Sequence, residues 1–176
     1  AEAWDQAAQA VDEQAQLAAE PKQQAAFYAR EAALLTLAGD ESSAVLRLEQ
    51  ATDLDPVHEE FAKALEDRFS AAERFADLAA YLLRRADKLE GAALRSELRR
   101  RAATIQRDAL GDPEAARESL QQLLADGDDE DALLFLADDA AERGEPAEAV
   151  EYLARLKRVV ADPARKAEVM LREARL

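Results

Sequence analysis

Three short stretches hold residue types that could do chemistry. "HEEFA" at 58–62 opens like the zinc-protease signature, in which two histidines four residues apart share one helix face and a glutamate between them activates water. Position 62 is Ala62 and His58 is the single histidine of the chain, so the second ligand is absent. His58 reads as an ordinary surface residue beside a helix start. "DGDDED" at 126–131 has the acidic density of a calcium loop. An EF-hand loop beginning at Asp126 needs a glycine in its sixth place and a glutamate in its twelfth, where Asp131 and Ala137 stand. These acids read instead as caps for the following helix and complements to its dipole. "RSELRRRAATIQR" at 95–107 is the one basic run. On a helix, Arg95, Arg99 and Arg100 spread over a broad face, with Arg107 two turns beyond Arg100. Two readings follow: a solvated face neutralised by neighbours, such as Glu97 for Arg101, or a local anion-recognition patch, because guanidinium grips a carboxylate in a bidentate fork.

Nothing else in the chain has the spacing of a catalytic set. There is no cysteine, hence no thiol nucleophile, disulfide or cysteine-bound zinc. No glycine-rich phosphate loop occurs, and no carboxylate pair stands out among 38 acids. The expectation is a non-enzymatic protein with no metal and no cofactor. A formal net charge of −15 argues against nucleic acid, which needs a basic footprint, and against an anionic membrane surface. It suits solubility and, more sharply, basic partners. No apolar run approaches the ~18–20 residues of a membrane span. The lack of cysteine fits the cytoplasm, with a bacterial periplasm the alternative, and the excess of arginine over lysine reads as a bias of a GC-rich bacterial genome.

The elements that would carry these residues are helices throughout. Apolar spacing predicts ten, at about 2–19, 22–38, 41–54, 57–69, 72–89, 92–110, 113–125, 129–143, 146–160 and 164–175. Gly39, Gly111 and Gly144 stand at helix ends. Pro21, Pro56, Pro113, Pro146 and Pro163 stand at or just before starts, with Asp40, Asp55, Asp112, Asp128 and Asp162 in capping range. Short joins predict antiparallel hairpins. The pattern also repeats. Ala8, Ala44, Ala79, Ala116 and Ala149 are spaced by 36, 35, 37 and 33 residues. Four places later stand Asp12, Leu48, Leu83, Leu120 and Leu153, so only the first copy departs; seven places later stand Ala15, Ala51, Ala86, Leu123 and Leu156. Offsets of four and seven lie on one helix face, where a small residue lets two backbones approach and a leucine fills the groove beside it. One hairpin cannot bury its apolar face alone; stacked copies can.

Segment 28–56 resembles the tetratricopeptide repeat through Tyr28, Ala32, Leu35, Ala44, Leu48, Ala51 and Pro56, with Glu31 standing where that family has a large apolar residue. The copy around Ala149 matches through Leu133, Leu136, Ala137, Ala140, Leu153 and Leu156, with Pro163 two residues late. The copy around Ala116 fits with a longer loop, through Leu98, Ala102 and Ile105, and the one around Ala79 fits poorly, with Phe61 and Leu65 as its first-helix residues. The resemblance implies an all-α, right-handed α-solenoid of about ten stacked helices over 1–176. It also implies a concave groove lined by the first helices of the hairpins, binding a peptide or a partner helix. The implied groove residues are Ala29, Ala33 and Leu37, then Glu59 and Glu66, then Arg99, Gln106 and Arg107, then Asp131, Leu134, Asp138 and Glu142. Such a groove suits a protein segment with basic residues, or with a carboxylate facing Arg99 and Arg107. The asparagine–lysine clamp that some relatives use for chaperone tails is not carried over, since the chain has no asparagine. The alternative function is a spacer or self-association segment of a large bacterial repeat protein. Apolar positions at both ends, Trp4, Ala8 and Ala15 at one and Ala167, Met170, Leu171 and Ala174 at the other, lead to the further expectation of an internal slice of a longer solenoid, open to end-to-end association.

Overall fold

A computed structural model describes residues 2–175. Among these the chain forms ten α-helices and no strand: α1 (Glu2–Leu17), α2 (Pro21–Ala38), α3 (Glu41–Leu54), α4 (Glu59–Ala71), α5 (Phe75–Asp87), α6 (Ala92–Asp108), α7 (Pro113–Leu123), α8 (Glu130–Glu142), α9 (Pro146–Val159) and α10 (Pro163–Glu173). No described helix is long and apolar enough to cross a membrane. The chain divides into two compact units that meet in sequence between Leu78 and Ala79, inside α5.

In the first unit α1 packs on α2, α2 on α3 and α3 on α4. The turn from α2 to α3 takes two residues. Gly39 adopts φ 91°, a left-handed conformation that costs a side-chain-bearing residue about 1 kcal/mol or more. There its N–H donates to the Thr36 carbonyl, and that of Asp40 to Leu35. Asp40 then caps α3 by accepting from the Ser43 N–H at 3.1 Å. The turn after α4 makes the same bond, Arg74 N–H to the Phe69 carbonyl at 2.8 Å, but its left-handed residue is Glu73, at φ 54°. That turn is why α5 starts at Phe75 and not near 72.

The five alanines of the repeat fall on α1, α3, α5, α7 and α9, and all are buried. So are the residues seven places on, from Ala15 to Leu156. The two departures from the pattern, Asp12 and Glu31, meet at one partner. Arg47 Nη2 donates to Asp12 Oδ1 and its Nε to Glu31 Oε1, each at 2.8 Å, while Nη1 reaches Gln50 Oε1 at 2.9 Å. The guanidinium lies 5.2 Å from the Tyr28 ring centre. Glu31 is buried, and its second oxygen has no hydrogen-bond partner. Burial pushes its carboxyl above the usual range against the pull of Arg47, and the Asp12 carboxylate adds to the rise.

In the second unit α6 packs on α7, α7 on α8, α8 on α9 and α9 on α10. Leu120, Leu123, Leu133, Leu136, Leu153, Leu156 and Val169 make one cluster with small alanines between them. Capping follows the sequence, with two departures, one of them in the first unit. Asp112, Asp129 and Asp162 accept the capping N–H bonds of α7, α8 and α10, so the cap of α8 is Asp129 and not Asp128. Asp55 is buried at the C-terminal end of α3 and does not cap α4, whose N-terminal flank is His58, stacked on Phe61 at 3.6 Å. On α10 it is Val169 that enters the core, while Met170 and Leu171 are 54% and 53% exposed.

The Arg47 cluster makes an asymmetric prediction. Arg47→Leu strands a buried charge on Glu31 and is expected to cost about 3 kcal/mol at pH 7. Glu31→Leu leaves Arg47 with Asp12 and Gln50 and is expected to cost about 1 kcal/mol or less. Because the raised carboxyl favours the neutral form, the stability that form confers is full below the ordinary value of 4.5 and fades as pH rises through the higher folded value. The Arg47→Leu deficit should therefore shrink on acidification. Urea unfolding at pH 7 and pH 5 measures both effects; a larger loss for Glu31→Leu contradicts this account.

Candidate functional site

The basic run lies on α6, and its arginines divide by helix phase. Arg95, Arg99 and Arg100 reach toward the acidic stretch between α7 and α8. Arg95 donates to Asp126 through Nε and Nη2, and through Nη1 to the carbonyls of Leu89 and Glu90 at 2.9 and 2.7 Å. Arg99 donates to Asp126 at 2.7 Å, to the Gln122 carbonyl at 3.1 Å and to Asp87 at 3.1 Å. Arg100 reaches Asp129 at 2.6 Å and also pairs with Glu97. From α9, Arg155 takes Asp128. The calcium-like stretch is thus a set of carboxylates held by arginines of the same unit, and among the described residues no acid or histidine group could hold a metal. The guanidinium of Arg95 beside it holds the Asp126 carboxyl below the usual range.

Arg107 points elsewhere. Eight residues beyond Arg99, it is turned about 80° around the helix. Its guanidinium binds the adjacent Asp108 carboxylate and lies 5.6 Å from the ring centre of Phe135 on α8. Two recesses flank this pair. One, of about 230 Å³, has a floor of Ala103, Ala116, Leu120 and Ala132 and a rim of Arg100, Thr104 and Asp131. The other, of about 330 Å³, is edged by Pro113, Asp138, Asp139 and Glu142. Arg107 and Phe135 line both.

Of the residues that the sequence assigns to a groove, the second unit brings Arg107, Asp131, Asp138 and Glu142 together around Phe135. Asp138 pairs with Arg172 at 2.8 Å and Asp131 with Arg165 at 3.6 Å. Leu134 and Phe135 both lie partly buried against the core cluster. Arg99 is engaged in its ion pairs, with 13% of its side chain exposed. Gln106 is buried and accepts from the Ser119 hydroxyl at 2.7 Å, tying α6 to α7. In the first unit Ala33 and Leu37 are exposed on α2, one turn apart, with Ala29 partly buried below them; Glu59 is exposed on α4 and Glu66 half-buried. Phe135 was not singled out in the sequence. It sits in the run "LLFLA" (133–137), where continuous apolarity hides which residue meets α6.

Compared with known proteins, the chain matches no family model and no curated relative.

The arginine clamp on Asp126 has a pH signature. Its carboxyl is lowered, so the stability it confers is present above the ordinary value of 3.8 and is lost as pH falls through the lower folded value. Asp126→Asn should lower the urea midpoint by a constant amount from pH 7 to near pH 4, and the gap to wild type should close below that. A gap independent of pH down to acid unfolding would mean that the carboxylate charge does not hold the stretch.

Proposed function

We propose that this chain is a non-enzymatic interaction module, an α-solenoid of antiparallel helix hairpins resembling the tetratricopeptide repeat, that binds a peptide or helix of a protein partner in a groove lined by the first helix of each hairpin. The observation that carries this reading is the burial of Ala8, Ala44, Ala79, Ala116 and Ala149 on alternate helices at a recurring spacing. A single globular bundle has no reason to renew one small–large pattern every ~35 residues; repeated hairpins do. Supporting it, consecutive helices pack on one another from α1 to α4 and from α6 to α10, and the left-handed residues Gly39, Glu73, Gly111 and Gly144 punctuate the chain at a similar spacing. Two recesses lined from α6, α7 and α8 offer concave surface of the kind a ligand segment needs.

The exposure of Met170 and Leu171 on α10 favours a second reading, self-association of a structural spacer.

A photoreactive residue placed singly at Leu37 or Asp138, against Leu46 or Glu118 on second helices, tests the groove in cells that express the protein. The expected result is one defined heterologous adduct from the groove positions and none from the others. Equal labelling from all four positions contradicts the groove, and adducts with the same chain alone support the spacer.

A further inference from the structure

The contact between Arg107 and Phe135 indicates what the groove accepts, and the inference drawn from it rests on the groove reading above. The face of Phe135 is already occupied by a guanidinium, the chain's own. Around the ring, Asp138 and Glu142 stand three and seven residues further along α8, on the face that carries Phe135. Asp139 is committed to Arg117 and Arg143 at 3.3 and 3.0 Å and Asp138 to Arg172 at 2.8 Å, whereas Glu142 makes no hydrogen bond or ion pair among the described residues. An aromatic face edged by carboxylates favours a cation, and a planar guanidinium best, because it stacks and forks at once.

The hold of Arg107 on this place is loose. Its ion pair is with Asp108, the next residue in the chain, and the two side chains are 48% and 55% exposed. A solvent-screened pair of this kind contributes little. On the other side of the ring the recess toward Arg100 and Thr104 has an apolar floor and a basic edge, opposed by Asp131.

We propose that the ring of Phe135 with the Glu142 carboxylate is a seat for an arginine side chain of a partner peptide, that Arg107 fills the seat in the free protein, and that Arg107, once displaced, receives a carboxylate of the same peptide beside Arg100. The occupant is therefore a segment with an arginine and an acidic residue a few positions apart and an apolar residue between them, which lies over Ala103, Leu120 and Ala132. Charge complementarity fixes its direction: base toward Glu142, acid toward Arg100.

The probe is a synthetic peptide of about nine residues with one arginine, one leucine and one glutamate in that order, and a second version with glutamine for the glutamate. Binding to the full chain is followed through the Phe135 ring protons by nuclear magnetic resonance titration. The expected result is saturable movement of those protons and a loss of about threefold in affinity for Phe135→Leu, which keeps bulk and removes the ring. Glu142→Gln should also weaken binding. Arg107→Ala should tighten the glutamine peptide, since the seat is vacated, and abolish the preference for glutamate. A purely structural Arg107 would weaken both peptides or neither. Unmoved Phe135 protons, or an Arg107→Ala protein that binds the glutamine peptide no better than wild type, overturns the seat. The groove reading fails separately: photo-crosslinked partner capture whose yield at sub-saturating partner is undiminished by Phe135→Leu overturns the seat and leaves the groove, whereas peptide seated at Phe135 with equal crosslinking from both helix faces overturns the groove alone.

Discussion

Two helices can lie against each other closely only where one offers almost no side chain, and this chain meets that demand with alanine. At Ala8, Ala44, Ala79, Ala116 and Ala149 the side chain is fully enclosed. A buried leucine one turn on fills the space beside Ala44, Ala116 and Ala149, while on α1 that place holds Asp12. The rest of the architecture follows from this choice. Helices that touch through alanine bury little area each, at roughly 25 cal/mol per Å², so the cores are thin and aromatic residues scarce. Sharp left-handed turns then bring the next helix back at once, whether the residue in the turn is Gly39 or, less comfortably, Glu73.

Thin cores leave work for polar ties between helices. Gln106 and Ser119 join α6 to α7 inside the core, Arg95 and Arg99 fasten the stretch after α7, and Arg155 fastens it from α9. Where the apolar pattern lapses at Asp12 and Glu31, Arg47 binds both. Part-buried pairs of this kind often stabilise no more than a hydrophobic replacement would, but their bonds need a defined partner geometry. The formal charge of −15 is thus a poor guide to the surface of the second unit, where many carboxylates are already matched. What distinguishes Arg107 is that its ion pair is with an exposed sequence neighbour and its other contact is the face of a partly buried aromatic ring.

Much of the fold was legible in the sequence because helices write themselves in a period of 3.6 and a recurring alanine marks the side they share. All ten helices stand where spacing put them, with ends shifted by up to three residues. Two shifts have named causes: Glu73 takes the left-handed turn that elsewhere falls to glycine, and Asp129 rather than Asp128 caps α8 because the helix starts at Glu130, which leaves Asp128 to Arg155. The candidate site was less legible. Arg99 and Arg107 look equivalent as letters, yet eight residues is not a whole number of turns, so one faces the acids after α7 and the other faces α8. Gln106 next to Arg107 looked available and is buried. Phe135 was hidden in a run whose neighbours are all apolar, and only the packing of α8 shows which of them α6 meets.

The claim that buried alanines set the helix spacing is tested most directly by lengthening them. Thermal or urea unfolding would be measured for Ala→Leu at each of Ala8, Ala44, Ala79, Ala116 and Ala149, against the same change at exposed Ala10, Ala80 and Ala147 on α1, α5 and α9. Overpacking should cost about 1–3 kcal/mol at every repeat position, with changes within about 0.5 kcal/mol at the exposed ones. Equal effects at both sets, or tolerance of leucine at most of the five, would contradict the account.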